Sequence, residues 1–183
     1  MQPSATTERE ARGILGGYAP HEHVPLYGYT VMLAGFSITF AVAVAQLRRR
    51  HAMRAGFGDI ALLGVGTHKL GRIVAKDFVT APLRAPFTRR AEAEGGGEVH
   101  DEPRGGPIRE TLGNLLSCPY CLGPWIAAGF GTALALRPKE TRFVLATLAA
   151  VTISDFLHQR YATLNERRKL ALAQRRHTES VEP

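Results

Sequence analysis

Cys118-Pro119-Tyr120-Cys121 is the segment of this chain best suited to chemistry. Two thiols three residues apart at a helix start can close a disulfide, and the first lies where backbone N–H groups and the helix dipole favour thiolate. The same pair supplies two of the about four ligands that zinc takes. His68, His100, Asp77 or a second subunit would have to complete that set. Small apolar thiols also pack well in a tight turn, so structural packing, a redox-active or regulatory dithiol and half of a metal site all fit the pair. No cofactor is implied, and the metal question stays open.

Asp155 is the second candidate, because it interrupts the apolar run Phe143 to Leu157. A carboxylate inside an apolar helix is costly and by default has a partner or marks a pathway. Arg72, Lys69 or His68 share its expected depth, and an ion pair pinning their segment to the bundle is the leading reading, ahead of proton or ion handling. No nucleophile–base–orienter set and no phosphate-binding glycine motif stands out, which argues against hydrolases and nucleotide enzymes.

The elements that carry these residues belong to a chain of 183 residues, 45% hydrophobic, with a net charge of +7. Those averages suit a basic soluble domain, but the apolar residues fall in blocks. Val24 to Leu47 contains no Asp, Glu, Lys, Arg or His and is closed by Arg48, Arg49 and Arg50. At about 1.5 Å per helical residue, Tyr29 to Leu47 is long enough to cross a bilayer core about 30 Å thick. The arginines fit a stop-transfer flank better than a cleaved signal peptide. A second span is expected at Cys118 to Leu136, with Tyr120 and Trp125 at headgroup level. A third is expected at Phe143 to Leu157, with Arg142 and Arg160 reaching outward along apolar stems. Gly129 with Ala133 and Ala146 with Ala150 give both segments small residues at helical spacing. Pro124 favours an ordered turn over CPYCLGP, since a proline in the second helical turn removes a backbone donor. A soluble antiparallel helical hairpin is the competing reading of the last two runs.

Ile60 to Ala75 is harder. His68, Arg72 and Lys76 fall at four-residue intervals on one helical face, with Lys69 beside them. Each cation at the bilayer centre costs about 2.5 to 3.5 kcal/mol, which predicts Arg72 and Lys76 at an interface. If this segment turns back or lies along the surface, the Lys and Arg residues divide 18 against 5 between the two sides, and if it crosses they divide 14 against 7 with its own two uncounted. The positive-inside rule prefers the first arrangement, with the N-terminus outside and the tail in the cytoplasm.

The expected fold is therefore all-α, an integral membrane helical bundle of three transmembrane helices plus one amphipathic or short membrane helix. Residues 1–23 read as a disordered tail, 24–47 as the first transmembrane helix, 59–161 as the main membrane domain with a flexible Gly- and Pro-containing loop at 90–107, and 162–183 as a basic C-terminal tail. That tail continues the last helix for some turns, and its Arg167, Arg168, Lys169, Arg175 and Arg176 favour anionic lipid. The basic pI of 9.9 follows membrane topology, so nucleic acid is not an expected partner. The expected location is the cell membrane, multi-pass, with lipid and either a second copy or another membrane protein as partners.

Three blocks in order, THKLGRIVAKDFVTAPLRAPFT at 67–88, GNLLSCPYCLGPW at 113–125 and VTISDFLH at 151–158, resemble a bacterial membrane-protein family catalogued as domain of unknown function 1360. The resemblance covers roughly Asp59 to Tyr161. Its basic helix running into an Asp and a Pro-Leu-Arg turn matches Lys69, Arg72, Asp77, Pro82, Leu83 and Arg84. Its cysteine pair and the following Leu-Gly-Pro-Trp match Cys118, Cys121, Leu122, Gly123, Pro124 and Trp125. The family implies a small integral membrane protein and supplies no reaction, substrate or cofactor. CPYC is also identical to the glutaredoxin active-site motif, but no alternation of strands and helices accompanies it. The blocks suggest that Arg72, Lys76, Asp77 and Arg84 face the thiol turn, where cations would lower a thiol pKa. The leading functional expectation is a non-enzymatic protein acting through assembly or partner contacts at the cytoplasmic face, followed by a thiol-redox or metal-binding protein using Cys118 and Cys121. A transporter or channel subunit using Asp155 comes third, since it needs more helices or an oligomer.

Overall fold

The computed structural model of the chain describes residues 24–50, 55–93 and 98–181. Its helices are α1 (Leu26–Arg49), α2 (Phe57–Lys76), the short α3 (Ala81–Arg84), α4 (Pro107–Ser117), α5 (Pro119–Leu136) and α6 (Pro138–Val181). A 3₁₀ turn at Phe78–Thr80 precedes α3, and strands β1 (Thr88–Ala93) and β2 (Val99–Pro103) lie between α3 and α4. The all-α expectation holds apart from that hairpin. Among the described residues, α1 is the one helix long and apolar enough to cross a membrane by length and composition, with a mean hydropathy of 1.8. Residues 1–23 of the expected tail lie outside the described residues.

The bundle is organised around α2, which packs most extensively against α5 and α6. Two of its glycines make this sandwich feasible. A Cβ on Gly66 would stand 2.5 Å from Leu145 Cδ2 of α6, and one on Gly71 would stand 3.3 Å from the Pro119 carbonyl at the start of α5. Asp59 pairs with Arg142 near the start of both helices, and Lys69 pairs with Asp155 farther along both. Hence α2 and α6 run parallel. Arg137 alone separates α5 from α6, so those two run antiparallel. Phe36 of α1 meets Trp125 of α5 edge-on at 5.0 Å, while Leu47 and Leu134 line one cavity with Leu63. The direction therefore alternates through α1, α2, α5 and α6.

Of the two placements expected for residues 60–75, a return or a position along the surface, the unbroken helix rules out a return within the segment. The helix is unbroken from Phe57 to Lys76 and extends from one end of the bundle to the other. Its cations are paired within the fold, where Lys69 and Arg72 each meet a carboxylate. The expected turn over CPYCLGP is corrected as well, since α5 begins at Pro119 and includes Pro124. Pro124 lies near the start of α5, where the carbonyl deprived of its donor belongs to the exposed Tyr120.

The described parts of 90–107 are not an irregular loop. β1 and β2 pair antiparallel with Arg89 opposite Glu102 and a bulge between Arg90 and Glu92. Positive residues of one strand face acidic residues of the other, and an Arg89–Glu102 ion pair at 3.0 Å joins them. α4 covers the hairpin closely: a Cβ on Gly113 would lie 2.7 Å from the Phe87 carbonyl and 2.9 Å from Pro103 Cβ. The 162–183 segment is helical through Val181 as the continuation of α6.

Candidate functional site at the hairpin end

α2 ends in a carbonyl-rich turn that is closed by Arg84. This side chain is fully buried. Its Nε donates to Asp101 Oδ2 of β2 at 2.7 Å, and its Nη1 lies 2.6 Å from the Val74 carbonyl, 3.1 Å from that of Asp77 and 2.7 Å from Thr80 Oγ1. Thr80 in turn donates to the Ile73 carbonyl at 2.5 Å. Arg84 thus supplies donors to the last carbonyls of α2, which no longer have an intrahelical N–H. Pro82 helps to set the short helix that aims it inward. Asp77 is the C-terminal cap of α2, pairs backbone to backbone with Glu98 in an isolated antiparallel β-bridge, and contributes its backbone carbonyl to this cluster.

One turn earlier along α2 lie the other candidates. Lys69 Nζ donates to Asp155 Oδ2 at 2.7 Å, with the Lys69 side chain 12% exposed and that of Asp155 46% exposed. Arg72 pairs with Glu98, immediately before β2. His68, Lys69 and Arg72 share the lining of a small cavity of about 50 Å³ with Thr152, Asp155 and Gln159 of α6. His68 itself is exposed and makes no hydrogen bond or ion pair among the described residues. The charged set therefore divides in two: Lys69 with Asp155 on α6, and Arg72, Asp77 and Arg84 with the hairpin.

The two cysteines sit at the start of α5, against α2. Cys118 is the N-cap, and its Sγ accepts the Cys121 backbone N–H at 3.2 Å. Both thiols are free, Cys121 exposed and Cys118 half-buried. Tyr29, Glu110 and Asn114 lie in the same neighbourhood. Pro119 packs on Gly71, next to Arg72, yet the hydrogen bonds of Arg72 and Arg84 go to carboxylates, carbonyls and a hydroxyl instead of to sulfur. Among the described residues no group of three or more His, Cys, Asp or Glu is arranged to hold a metal ion.

At the opposite end, Arg142 makes a two-pronged contact with Asp59, at 2.7 and 3.0 Å. Asp59 also accepts the Gly56 N–H at 3.1 Å, the reciprocal half of a capping box. The Arg142 hydrogen bond and then the Gly56 N–H hold the Asp59 carboxyl at about 2, well below its ordinary range. Sequence reading missed this pair, Asp101, Glu98 and Thr80. The signal for Asp59 was present: an acid three residues after Gly56 at a helix start. The signal for Asp101 lay in the opposed charges of TRR and HDE on either side of a glycine run.

A family model described as "Protein of unknown function (DUF1360)" matches residues 62–161. The sporulation protein YjcA of Bacillus subtilis (strain 168) is 30% identical over 101 residues, covering 54% of this chain and 86% of that protein. No solved structure matches.

Proposed function

The chain belongs to the DUF1360 family, and from that premise we propose that it is a small multi-pass membrane protein acting through contacts with a second copy or another membrane protein at its inner face, without catalysing a reaction. In this reading residues 29–47, 118–136 and 143–157 are full spans, and 60–75 of α2 is a short, charged membrane helix held between α5 and α6.

The observation that carries the reading is the direction of the apolar side chains. Val31, Leu33, Ile38 and Val42 of α1 and Phe143, Ile153, Phe156 and Leu157 of α6 are all exposed, each by at least 52% of its surface. A soluble monomer rarely exposes so many large apolar side chains along two long helices, whereas lipid accepts them. The alternation of helix direction supports the 14-to-7 division of Lys and Arg, which assigns the hairpin end to the cytoplasm. The start of α1 and the C-terminal extension of α6 then share the inner side, and the N-terminus is cytoplasmic as well. The hydrogen bonds of Lys69, Arg72 and Arg84 are used in joining elements, which supports a scaffold in preference to a reaction centre.

The test is labelling of single cysteines in a Cys118→Ser, Cys121→Ser background by a membrane-impermeant maleimide. Lys139→Cys reacts in intact cells, and Arg89→Cys reacts only after permeabilisation. The protein stays in the pellet after carbonate extraction. Release by carbonate overturns the membrane reading, and the reverse labelling pattern overturns the orientation.

A second reading, a thiol-redox or metal-binding protein, draws on one observation: both thiols are free, Cys121 is exposed, and Cys118 caps the same helix three residues earlier. Differential alkylation in membranes across a redox titration, with metal analysis of purified protein, tests it. A reversible disulfide or stoichiometric zinc supports it, and inert, metal-free thiols remove it.

A further inference from the structure

We propose that the turn from Phe78 to Leu83 is a membrane-surface anchor that lays the hairpin against the anionic inner leaflet. This rests on the multi-pass reading above. The turn is inside out by the standards of a water-facing loop. Its polar residues are withdrawn: Arg84 is fully buried, and the Thr80 hydroxyl points back to the α2 carbonyls. Its large apolar residues face outward, with Phe78 60%, Val79 79% and Leu83 61% exposed. The bonds from Arg84 to Asp101, Val74 and Asp77 fix this polarity, so the turn cannot roll its apolar side inward without breaking them. Arranged in this way, the outer face suits an apolar phase.

Two observations select lipid over a protein. The first is chain continuity: Lys76 ends α2 and Phe78 begins the turn directly after Asp77, so if α2 crosses the bilayer these side chains lie at its boundary, the depth at which amphipathic segments insert. The second is charge. Arg90 of β1 places its guanidinium 5.5 Å from the centre of the Phe78 ring, and Lys76 lies two residues before Phe78. Cations beside a shallow aromatic and aliphatic tip fit the phosphates of an anionic leaflet. Pro82, Leu83 and Arg84 thereby gain separate tasks: helix start, lipid contact and internal lock.

Depth-dependent fluorescence quenching tests this in full-length protein reconstituted into vesicles of phosphatidylcholine and phosphatidylglycerol. Phe78→Trp and, independently, Val79→Trp are made in a Trp125→Phe background, with Ile153→Trp as a reporter of the span. The expected result is loss of most fluorescence at both turn positions with lipids brominated near the headgroup, less loss with bromine deep in the chain, and weaker quenching in vesicles lacking phosphatidylglycerol. Ile153→Trp quenched with both turn positions unquenched overturns the anchor and leaves the span reading intact, as a surface covered by a protein partner would give. All three positions unquenched overturns the span reading and the anchor together.

Discussion

Arg84 Nε and Asp101 Oδ2 stand 2.7 Å apart with the two side chains 0% and 8% exposed, so the hairpin is tied to the end of α2 by an ion pair removed from water. Taking away one partner leaves the other charge buried and alone, which costs about 3–5 kcal/mol. Arg84→Met and Asp101→Leu are each expected to lower the thermal unfolding midpoint in detergent sharply. The double variant is expected to recover a large part of the loss, because two apolar groups then replace two charges. Equal loss in the double and single variants would show that the carbonyl contacts of Arg84, instead of the ion pair, hold the hairpin.

Arg84 also shows where sequence reading stops. An arginine in a Pro-Leu-Arg turn reads as a surface residue, and its burial depends on Val74, Asp77 and an aspartate seventeen positions away. Such long-range satisfaction leaves no periodic trace. α1 was legible because 24 successive residues lack any formal charge other than a closing arginine pair. Asp155 was legible as a residue needing a partner because the run around it is apolar, and the candidate cations were few. The hairpin was illegible because its strands are mostly polar: Val99 and Thr88 are buried at strand ends, and the buried side chain within β2 is the charged Asp101. Arg142 was read as a flank of an apolar run, and Asp59 was given no role. Their pairing follows only once α2 and α6 are known to be parallel.

The Asp59–Arg142 contact predicts an acid-sensitive step. The carboxyl is held at about 2 in the folded protein against 3.8 ordinarily. A depressed carboxylate pKa stabilises the fold above its ordinary value, and that stabilisation is lost as pH falls from there through the folded value. Thermal midpoints measured from about pH 5 down to about pH 2 should therefore fall more steeply in the wild type than in Asp59→Asn. The Asn variant starts lower and converges with it in acid. Parallel curves would remove Asp59 as the titrating group.

Gly28 and Thr111 hold the start of α1 against α4. A Cβ on Gly28 would stand 1.9 Å from Thr111 Oγ1 and 2.9 Å from Thr111 Cβ, and Thr111 is buried with its hydroxyl committed to the Pro107 carbonyl. Gly28→Ala forces one helix to shift, at about 1–3 kcal/mol for overpacking. Tryptophan fluorescence reports the shift, since Trp125 contacts Phe36 two turns along the same helix. Adding Thr111→Ala removes the nearest clashing atom and is expected to restore much of the midpoint and the spectrum. No change on Gly28→Ala would mean that α1 is free to reposition against its neighbours.

Cys118 offers a way to separate architecture from thiol chemistry. Its Sγ accepts the Cys121 N–H at the start of α5, a task that a serine hydroxyl performs and an alanine does not. Losing an N-cap acceptor costs about 1 kcal/mol, so Cys118→Ala should lower the unfolding midpoint and Cys118→Ser should stay near the wild type. Cys121 is exposed, and an exposed substitution away from special features stays within about 0.5 kcal/mol. Cys121→Ser is therefore expected to be neutral in stability. If all three variants behave so and also leave cell-level function intact, the pair is a capping turn. Loss of function in both serine variants with stability unchanged would instead assign the pair to redox or metal chemistry, because serine keeps the cap and removes only the sulfur.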